Sequence, residues 1–176
     1  MHDRIDELGV LTAAGDDWKL TFTRRLKHPP EKVWRAVTEK EHLAAWFPDG
    51  ITGEWRVGEK LRFGTPGGDG FDGEVIAFQP PSMLEITWGT DRLRIEVTPD
   101  GDGSVLTLVD TFAELGKAAR DGAGWHECIG RLENDLEGAP QPKWGADWLA
   151  LFERYKKELG PEASTMGPPE GWSPDA

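Results

Sequence analysis

Cysteine and long apolar runs are nearly absent from this sequence. Cys128 is the only cysteine among 176 residues, which excludes an intrachain disulfide and a thiolate-rich metal site. No segment approaches the roughly 18 consecutive apolar residues that a membrane-spanning helix needs, and the acidic N-terminus has no apolar signal core. We therefore expect a cytoplasmic protein that has no membrane partner.

Basic residues are also in the minority. Lysine and arginine number 20 against 32 aspartates and glutamates, which gives a net charge of −12. A protein that binds nucleic acid needs clustered cationic side chains that displace counterions from the phosphates, and no basic run here is longer than a pair. The composition argues against nucleic acid as a partner, and we attribute the acidity to solubility.

Tryptophan, by contrast, is abundant. The chain has nine tryptophans and a single tyrosine. Each indole ring is large and has an N–H group that needs a hydrogen-bond acceptor when it is buried. Nine of them predict either an unusually aromatic core or a cavity that is lined with rings.

The length suits one domain with a single core. Residues 1–16 are mostly polar and are predicted to be a flexible lead-in. Residues 160–176 contain proline, glycine and serine without periodicity, and are predicted to be a disordered tail. The folded domain is therefore expected over residues 17–159.

The first part of this domain is predicted to hold one strand and two short helices. Alternation of apolar and polar residues predicts a strand over 17–26. Pro29 and Pro30 cannot continue a ladder but start a helix well, so a helix is expected over 30–38. A second short helix is expected over 40–46.

Six further strands are predicted to form an antiparallel meander. Short apolar runs are separated by glycine, proline and aspartate, which are turn residues. The predicted strands are 51–56, 59–65, 71–79, 83–89, 92–99 and 104–112. Leu93, Ile95 and Val97 alternate with charged residues, so one face of the sheet is expected to be dry.

A long helix over 117–136 is predicted to cover that dry face. Its apolar residues recur at helical spacing and form one stripe, which consists of Trp125, Cys128, Ile129, Leu132 and Leu136. Gly138 is a plausible stop signal, and a last helix is expected over 145–159. The predicted class is α+β.

Several ordered segments carry a resemblance to a known family. They are HPPEKVWRAVTEKEHLAAWF (residues 28–47), FDGEVIAFQPPSMLEITWG (71–89), LTLVDTF (106–112) and AGWHECIGRLENDLEG (123–138). Over residues 17–138 the chain resembles the activator of heat-shock-protein-90 ATPase homologue-like family, a branch of the START-like (SRPBCC, birch-pollen-allergen-like) superfamily.

The resemblance implies a helix-grip fold. In that fold a curved, seven-stranded antiparallel sheet wraps around the long C-terminal helix, and two short helices follow the first strand. The space between sheet and helix is used in the superfamily for lipids, polyketides, hormones or other hydrophobic molecules. The chain departs from the family at Asp110, where many bacterial relatives carry a histidine.

A ligand cavity between the sheet and the long helix is therefore predicted. The candidate ligand-binding residues are Trp46, Phe63, Phe71, Trp88, Asp110, Phe112, Trp125, Cys128 and Ile129. The alternative is that these side chains simply fill the core, since each aromatic ring contributes roughly 1.5–3 kcal/mol when it is buried.

Two polar residues near this cavity are open to two interpretations. Asp110 shares the inward face of its strand with Phe112, where an unpaired carboxylate is costly. It is expected either to orient a polar ligand group or to be solvated at the end of the strand. His126 is either an acid or base at the cavity mouth or a polar flank of the helix, and no catalytic residue is assigned.

The run from Gly64 to Gly70 does not predict a phosphate site. It lacks the Gly-Lys-Ser/Thr ending of a phosphate loop and lies between strands, so a flexible hairpin turn is expected instead, with a lid over the cavity mouth as its candidate role. No pair of histidines has metal-ligand spacing, so neither a metal nor another cofactor is predicted.

The function that these patterns favour is non-catalytic binding of a small hydrophobic molecule. One alternative, which the resemblance implies, is a co-chaperone-like module that contacts a chaperone or another protein. The other is a cyclase- or hydrolase-type enzyme that uses the same cavity.

Overall fold

One antiparallel sheet of eight strands organises the protein in a computed structural model, which describes residues 7–64 and 69–168. The strands are β1 (Val10–Ala14), β2 (Asp17–Leu26), β3 (Gly50–Thr52), β4 (Lys60–Gly64), β5 (Phe71–Gln79), β6 (Met83–Trp88), β7 (Asp91–Asp100) and β8 (Gly103–Phe112). Their spatial order is β1-β2-β8-β7-β6-β5-β4-β3. Strands β3 to β8 therefore form a meander, and its last strand, β8, pairs with β2.

Four α-helices accompany the sheet in the described part of the chain. They are α1 (Pro30–Thr38), α2 (Lys40–Trp46), α3 (Ala118–Glu137) and α4 (Trp148–Leu159). The helices over 30–38 and 40–46 are confirmed. Pro30 stands at the first helical position of α1, where proline favours a helix start. The stop at Gly138 is also confirmed, since this residue has a φ of +66° and donates its N–H to carbonyl groups of the last turn of α3.

The strand count differs from the prediction of seven. The predicted flexible lead-in contains β1, which pairs with β2 from Val10↔Thr21 to Ala14↔Asp17. This strand was missed because it lies at the sheet edge, where its side chains are largely exposed and show no apolar alternation. Residues 1–6 lie outside the described part of the chain.

The predicted disordered tail is likewise ordered at its beginning. A short 3-10 helix covers Pro161–Ser164, and Ala163 on it is buried. Met166 donates its backbone N–H to the carbonyl of Gly116, which fastens the segment to the start of α3. Residues 169–176 are not among those described.

The dry face of the sheet is confirmed. Leu93, Ile95 and Val97 on β7 are buried, as are the alternate residues of β8 beside them. The stripe on α3 packs on this face, and Ile129 and Leu132 within it are almost fully buried. Helix, sheet and the two short helices thus share one hydrophobic core.

Helix α4 lies against the opposite side of α3. The approach is close at Gly122, where a Cβ atom would come within 3.0 Å of the Tyr155 ring. The Tyr155 hydroxyl accepts a hydrogen bond from the N–H of Gly9 at 2.7 Å and lies 2.8 Å from Nδ1 of His126. One phenol therefore joins the N-terminal segment, α3 and α4.

Replacing Tyr155 with Phe is expected to lower the free energy of unfolding by about 1–3 kcal/mol, because the buried N–H of Gly9 loses its acceptor. Urea denaturation at neutral pH measures this loss. Ser82→Ala is the control, since it removes an exposed hydroxyl that bonds the carbonyl of Gln79. Equal losses in the two variants would contradict a special role for Tyr155.

The strands that flank the glycine-rich run, β4 and β5, pair antiparallel. The predicted flexible turn and lid fall largely on residues 65–68, which lie outside the described residues. Within the described ranges, no helix has both the length and the apolar character to cross a membrane.

Candidate functional site

A cleft of about 500 Å³ opens between α3, the turn after α2 and the beginning of α4. Four tryptophans and several small residues form most of its wall, which consists of Pro48, Trp88, Gly124, Trp125, Cys128, Trp144, Gly145, Trp148 and Pro168. Its charged residues are Asp49, Arg120, Asp121 and Glu127.

Behind the cleft, five aromatic rings form a closed circuit. Phe47, Phe63, Phe71, Trp88 and Trp125 contact one another in that order, and Trp125 contacts Phe47 again. The distances between successive ring centroids lie between 5.1 and 6.1 Å, the range of favourable aromatic pairs. This end of the space between sheet and helix is therefore occupied by the protein's own rings.

The structure thus divides the predicted ligand-binding residues into two groups. Trp88, Trp125 and Cys128 line the cleft. The remaining six do not line it: Trp46, Phe63, Phe71, Asp110, Phe112 and Ile129. Trp46 illustrates the second group, because its ring is fully buried and its indole N–H donates to the carbonyl of Ala36.

Asp110 is fully buried, so its expected solvation at the strand end is wrong. Its Oδ2 accepts a hydrogen bond from the indole N–H of Trp125 at 3.1 Å. Because Trp125 lines the cleft, its ring separates Asp110 from that space. Asp110 does not line the cleft itself but holds the indole of Trp125, which does.

Three more charged residues surround Asp110. On the sheet, Leu93 is the direct partner of Asp110 across β7 and β8, so Asp91 is a diagonal neighbour on the same face. On the helix side, Lys117, Asp121 and Trp125 recur every four residues and therefore share one face.

Lys117 provides the positive charge in this cluster. Its Nζ lies 2.5 Å from Oδ1 of Asp91 and 3.6 Å from Oδ2 of Asp121. Burial lowers the pKa of Lys117, but the hydrogen bond and charge of Asp91 outweigh burial and leave that pKa raised. The ammonium group therefore stays protonated.

Two carboxylate oxygens in the cluster lack a donor: Oδ2 of Asp91 and Oδ1 of Asp110. Burial, followed by the charge and hydrogen bond of Asp91, raises the pKa of Asp110 to about 9, against which the Trp125 hydrogen bond acts. A proton on Asp110 makes it a donor to Asp91, which satisfies both oxygens.

The cluster also has the dimensions of a cation site. Carboxylate oxygens of Asp91, Asp110 and Asp121 lie within 4.8 Å of one another. The prediction considered the spacing of histidines and the single cysteine. It did not consider this group of aspartates, whose members come from β7, β8 and α3. Since the ammonium of Lys117 lies among these oxygens, we interpret the cluster as an internal ion pair.

His126 lies away from the cleft. It is buried on the side of α3 that faces α4, where it contacts Tyr155. There it borders a second groove of about 560 Å³ between α3 and α4, which Gly130 and Arg131 also line. The predicted role of His126 as an acid or base at the cavity mouth does not fit this position.

Sequence reasoning missed several residues of the cleft. Asp49 lies in the turn after α2 and Trp148 at the start of α4, and neither was among the predicted ligand-binding residues. No local pattern in the sequence indicates that these residues share one cleft.

The comparisons with known proteins agree with this architecture. Residues 27–137 match the family model described as Activator of Hsp90 ATPase homolog 1-like protein. None of the curated proteins matches the chain.

Solved structures share the fold. The conserved protein EF2215 from Enterococcus faecalis, of unknown function, is 20% identical with a TM-score of 0.74, over 86% of this chain and 90% of that one. CalU16 from Micromonospora echinospora is 18% identical with a TM-score of 0.69, over 85% and 93% of the two chains.

DynU16, from the dynemicin biosynthetic locus, is 27% identical with a TM-score of 0.63. The match covers 70% of this chain and 49% of DynU16, so this chain corresponds to about half of that protein. The family model matches more than half of the chain, so the chain belongs to the Activator of Hsp90 ATPase homolog 1-like family.

Proposed function

We propose that this domain binds a small hydrophobic molecule, without catalysis, in the tryptophan-lined cleft. The observation that carries the proposal is the convergence of four indole rings on a space of about 500 Å³. Sites for small molecules are typically apolar clefts of about 300–1,000 Å³ with a few polar groups that fix orientation. The cleft has this size and composition.

Three ionisable groups of the cleft wall favour binding over catalysis. Both carboxylate oxygens of Glu127 accept backbone N–H groups, from Gly145 and Asp147. Asp121 is ion-paired with Arg120 at 2.9 Å. Burial raises the pKa of the Cys128 thiol, which disfavours the nucleophilic thiolate. These groups are engaged in holding the wall and are poorly suited to move a proton.

The relatives are consistent with a small-molecule ligand. DynU16 belongs to a locus for the biosynthesis of dynemicin, so this fold occurs where a small organic molecule is made. The cyclase- or hydrolase-type alternative would place turnover in the same cleft. The co-chaperone alternative would place recognition on the outer surface and make the cleft dispensable.

Binding can be tested through the tryptophans themselves. We expect hydrophobic probes to change the intrinsic fluorescence and to raise the melting temperature, because a ligand that binds only the native state stabilises it. Native mass spectrometry of the protein purified from its own host would identify a retained molecule. A panel of aromatic and aliphatic probes that changes neither signal would contradict the proposal.

Filling the cleft from the helix gives the decisive variant. A Cβ atom on Gly124 would meet only Nε1 of Trp148, at 3.9 Å, so Gly124→Leu should fold and project into the cleft. We expect it to weaken probe binding at least about tenfold, the equivalent of about 1.4 kcal/mol, as measured by calorimetric titration.

The matched control is Gly130→Leu on the same helix. A Cβ atom there meets nothing within 4 Å, and Gly130 lines the other groove. This variant should bind probes as the wild type does. If Gly130→Leu abolished binding while Gly124→Leu did not, the ligand would belong to the groove between α3 and α4.

A further inference from the structure

Asp49 is the one charged residue of the cleft wall for which the structure shows no charged or backbone partner. It follows α2, is only 7% exposed and lines the cleft. Its Oδ2 accepts the indole N–H of Trp88 at 2.9 Å. In the described ranges, Oδ1 accepts no hydrogen bond, and no lysine, arginine or histidine lies within ion-pair distance of the carboxylate.

The other acids of the wall differ from Asp49 in this respect. Asp121 has Arg120 and Lys117 as cationic partners. Glu127 uses both oxygens on backbone N–H groups. Among the described residues of the cleft wall, Oδ1 of Asp49 is therefore the carboxylate oxygen that has neither a donor nor a cation beside it, and the indole of Trp88 holds the other oxygen in place.

A buried carboxylate without a counter-charge is costly, and burial raises the pKa of Asp49 while the Trp88 hydrogen bond opposes that change. The cost falls when a bound molecule brings a positive charge. The surrounding indoles also favour a positively charged ligand, because the face of an indole attracts an organic cation. Arg131 already illustrates this attraction, since its guanidinium lies 3.9 Å from the ring centroid of Trp144.

We propose that the ligand of the cleft is a hydrophobic organic cation, an apolar or aromatic body with a protonated amine that donates to Oδ1 of Asp49. This inference rests on the proposed function, since it names the chemical class that the same cleft takes. The apolar body contacts Trp88, Trp125 and Trp148, and the amine lies at the end of the cleft that Asp49 lines.

Three probes with one ring system test the charge preference: naphthylmethylamine, naphthalenemethanol and naphthoic acid, which at neutral pH are a cation, a neutral molecule and an anion. Calorimetric titration of the wild type should give an affinity for the amine at least about tenfold above that for the alcohol, as expected of a charge-assisted hydrogen bond. The acid should bind most weakly.

Asp49→Asn is the matched variant, because its carboxamide oxygen still accepts the Trp88 N–H while the charge is removed. The ratio of amine to alcohol affinity should fall to about one. Equal wild-type affinities for amine and alcohol would overturn this inference and leave the proposed function standing. Absence of binding by all three probes would overturn both, and the wild-type comparison decides even if the variant does not fold.

Discussion

Asp110→Asn is expected to be more stable than the wild type at alkaline pH, by a margin that grows as the pH rises. Asparagine keeps the carbonyl acceptor for the Trp125 indole, and its amide supplies the donor that Asp91 otherwise receives from a protonated Asp110. The variant therefore preserves the geometry of the cluster without binding a proton.

The direction of this pH dependence follows from the pKa of Asp110 in the folded and in the unfolded protein. Its pKa in the folded protein is about 9, against an ordinary value near 3.8, so folding takes up a proton between these limits. This contribution to stability is fully present below about pH 4 and is lost progressively as the pH rises to about 9. Above that range the difference between the two proteins should become constant.

Urea denaturation of both proteins between weakly acidic and alkaline pH measures this margin. Asp72→Asn is the control, since the side chain of Asp72 is 77% exposed and pairs with Arg62 at the surface. Parallel stability curves for wild type and Asp110→Asn would show that Asp110 is not protonated in the folded state.

Lys117→Met is expected to destabilise the protein by about 3–5 kcal/mol at neutral pH. Asp91 is 2% exposed, and the ammonium of Lys117 is its cationic partner. Removing one member of a buried ion pair leaves an uncompensated charge in the interior, which is far more costly than losing the attraction alone. Methionine retains apolar contact with the Phe112 ring, over which the lysine lies.

Two further variants separate charge from packing. Lys156→Met removes an exposed partner of Glu153 and should cost less than about 1 kcal/mol. The double variant Lys117→Met/Asp91→Asn should recover most of the lost stability, since no unpaired charge remains. A double variant as unstable as Lys117→Met alone would assign the effect to lost packing.

Local patterns were sufficient to predict most elements of the fold. The helix from Pro30 to Thr38 begins where two prolines stop the preceding strand, and α3 ends at a glycine with positive φ. The stripe on α3 and the alternation on β7 identified the two surfaces that pack together. Each of these signals involves residues that are close together in the sequence, so it can be recognised from a single sequence.

The site could be predicted only in part, because it depends on contacts between distant segments. Trp88 and Trp125 were identified, since they belong to the strand and helix faces that meet. Asp49 and Trp144 lie in connecting segments, and nothing near them in the sequence indicates that both border one cleft. The proximity of Asp91 to Asp110 was equally hidden, since the two residues lie on different strands of a hairpin.

The close approach at Gly122 has a consequence for how relatives of this protein could change their ligands. Tyr155 rests on α3 where there is no side chain, and the same helix α4 begins with Trp148, a wall of the cleft. A bulkier residue at position 122 would displace α4 and with it that wall. A substitution at this one position, which does not line the cleft, would thus change the width of the cleft. Relatives would then differ in the size of molecule that fits, although the residues of the wall are the same.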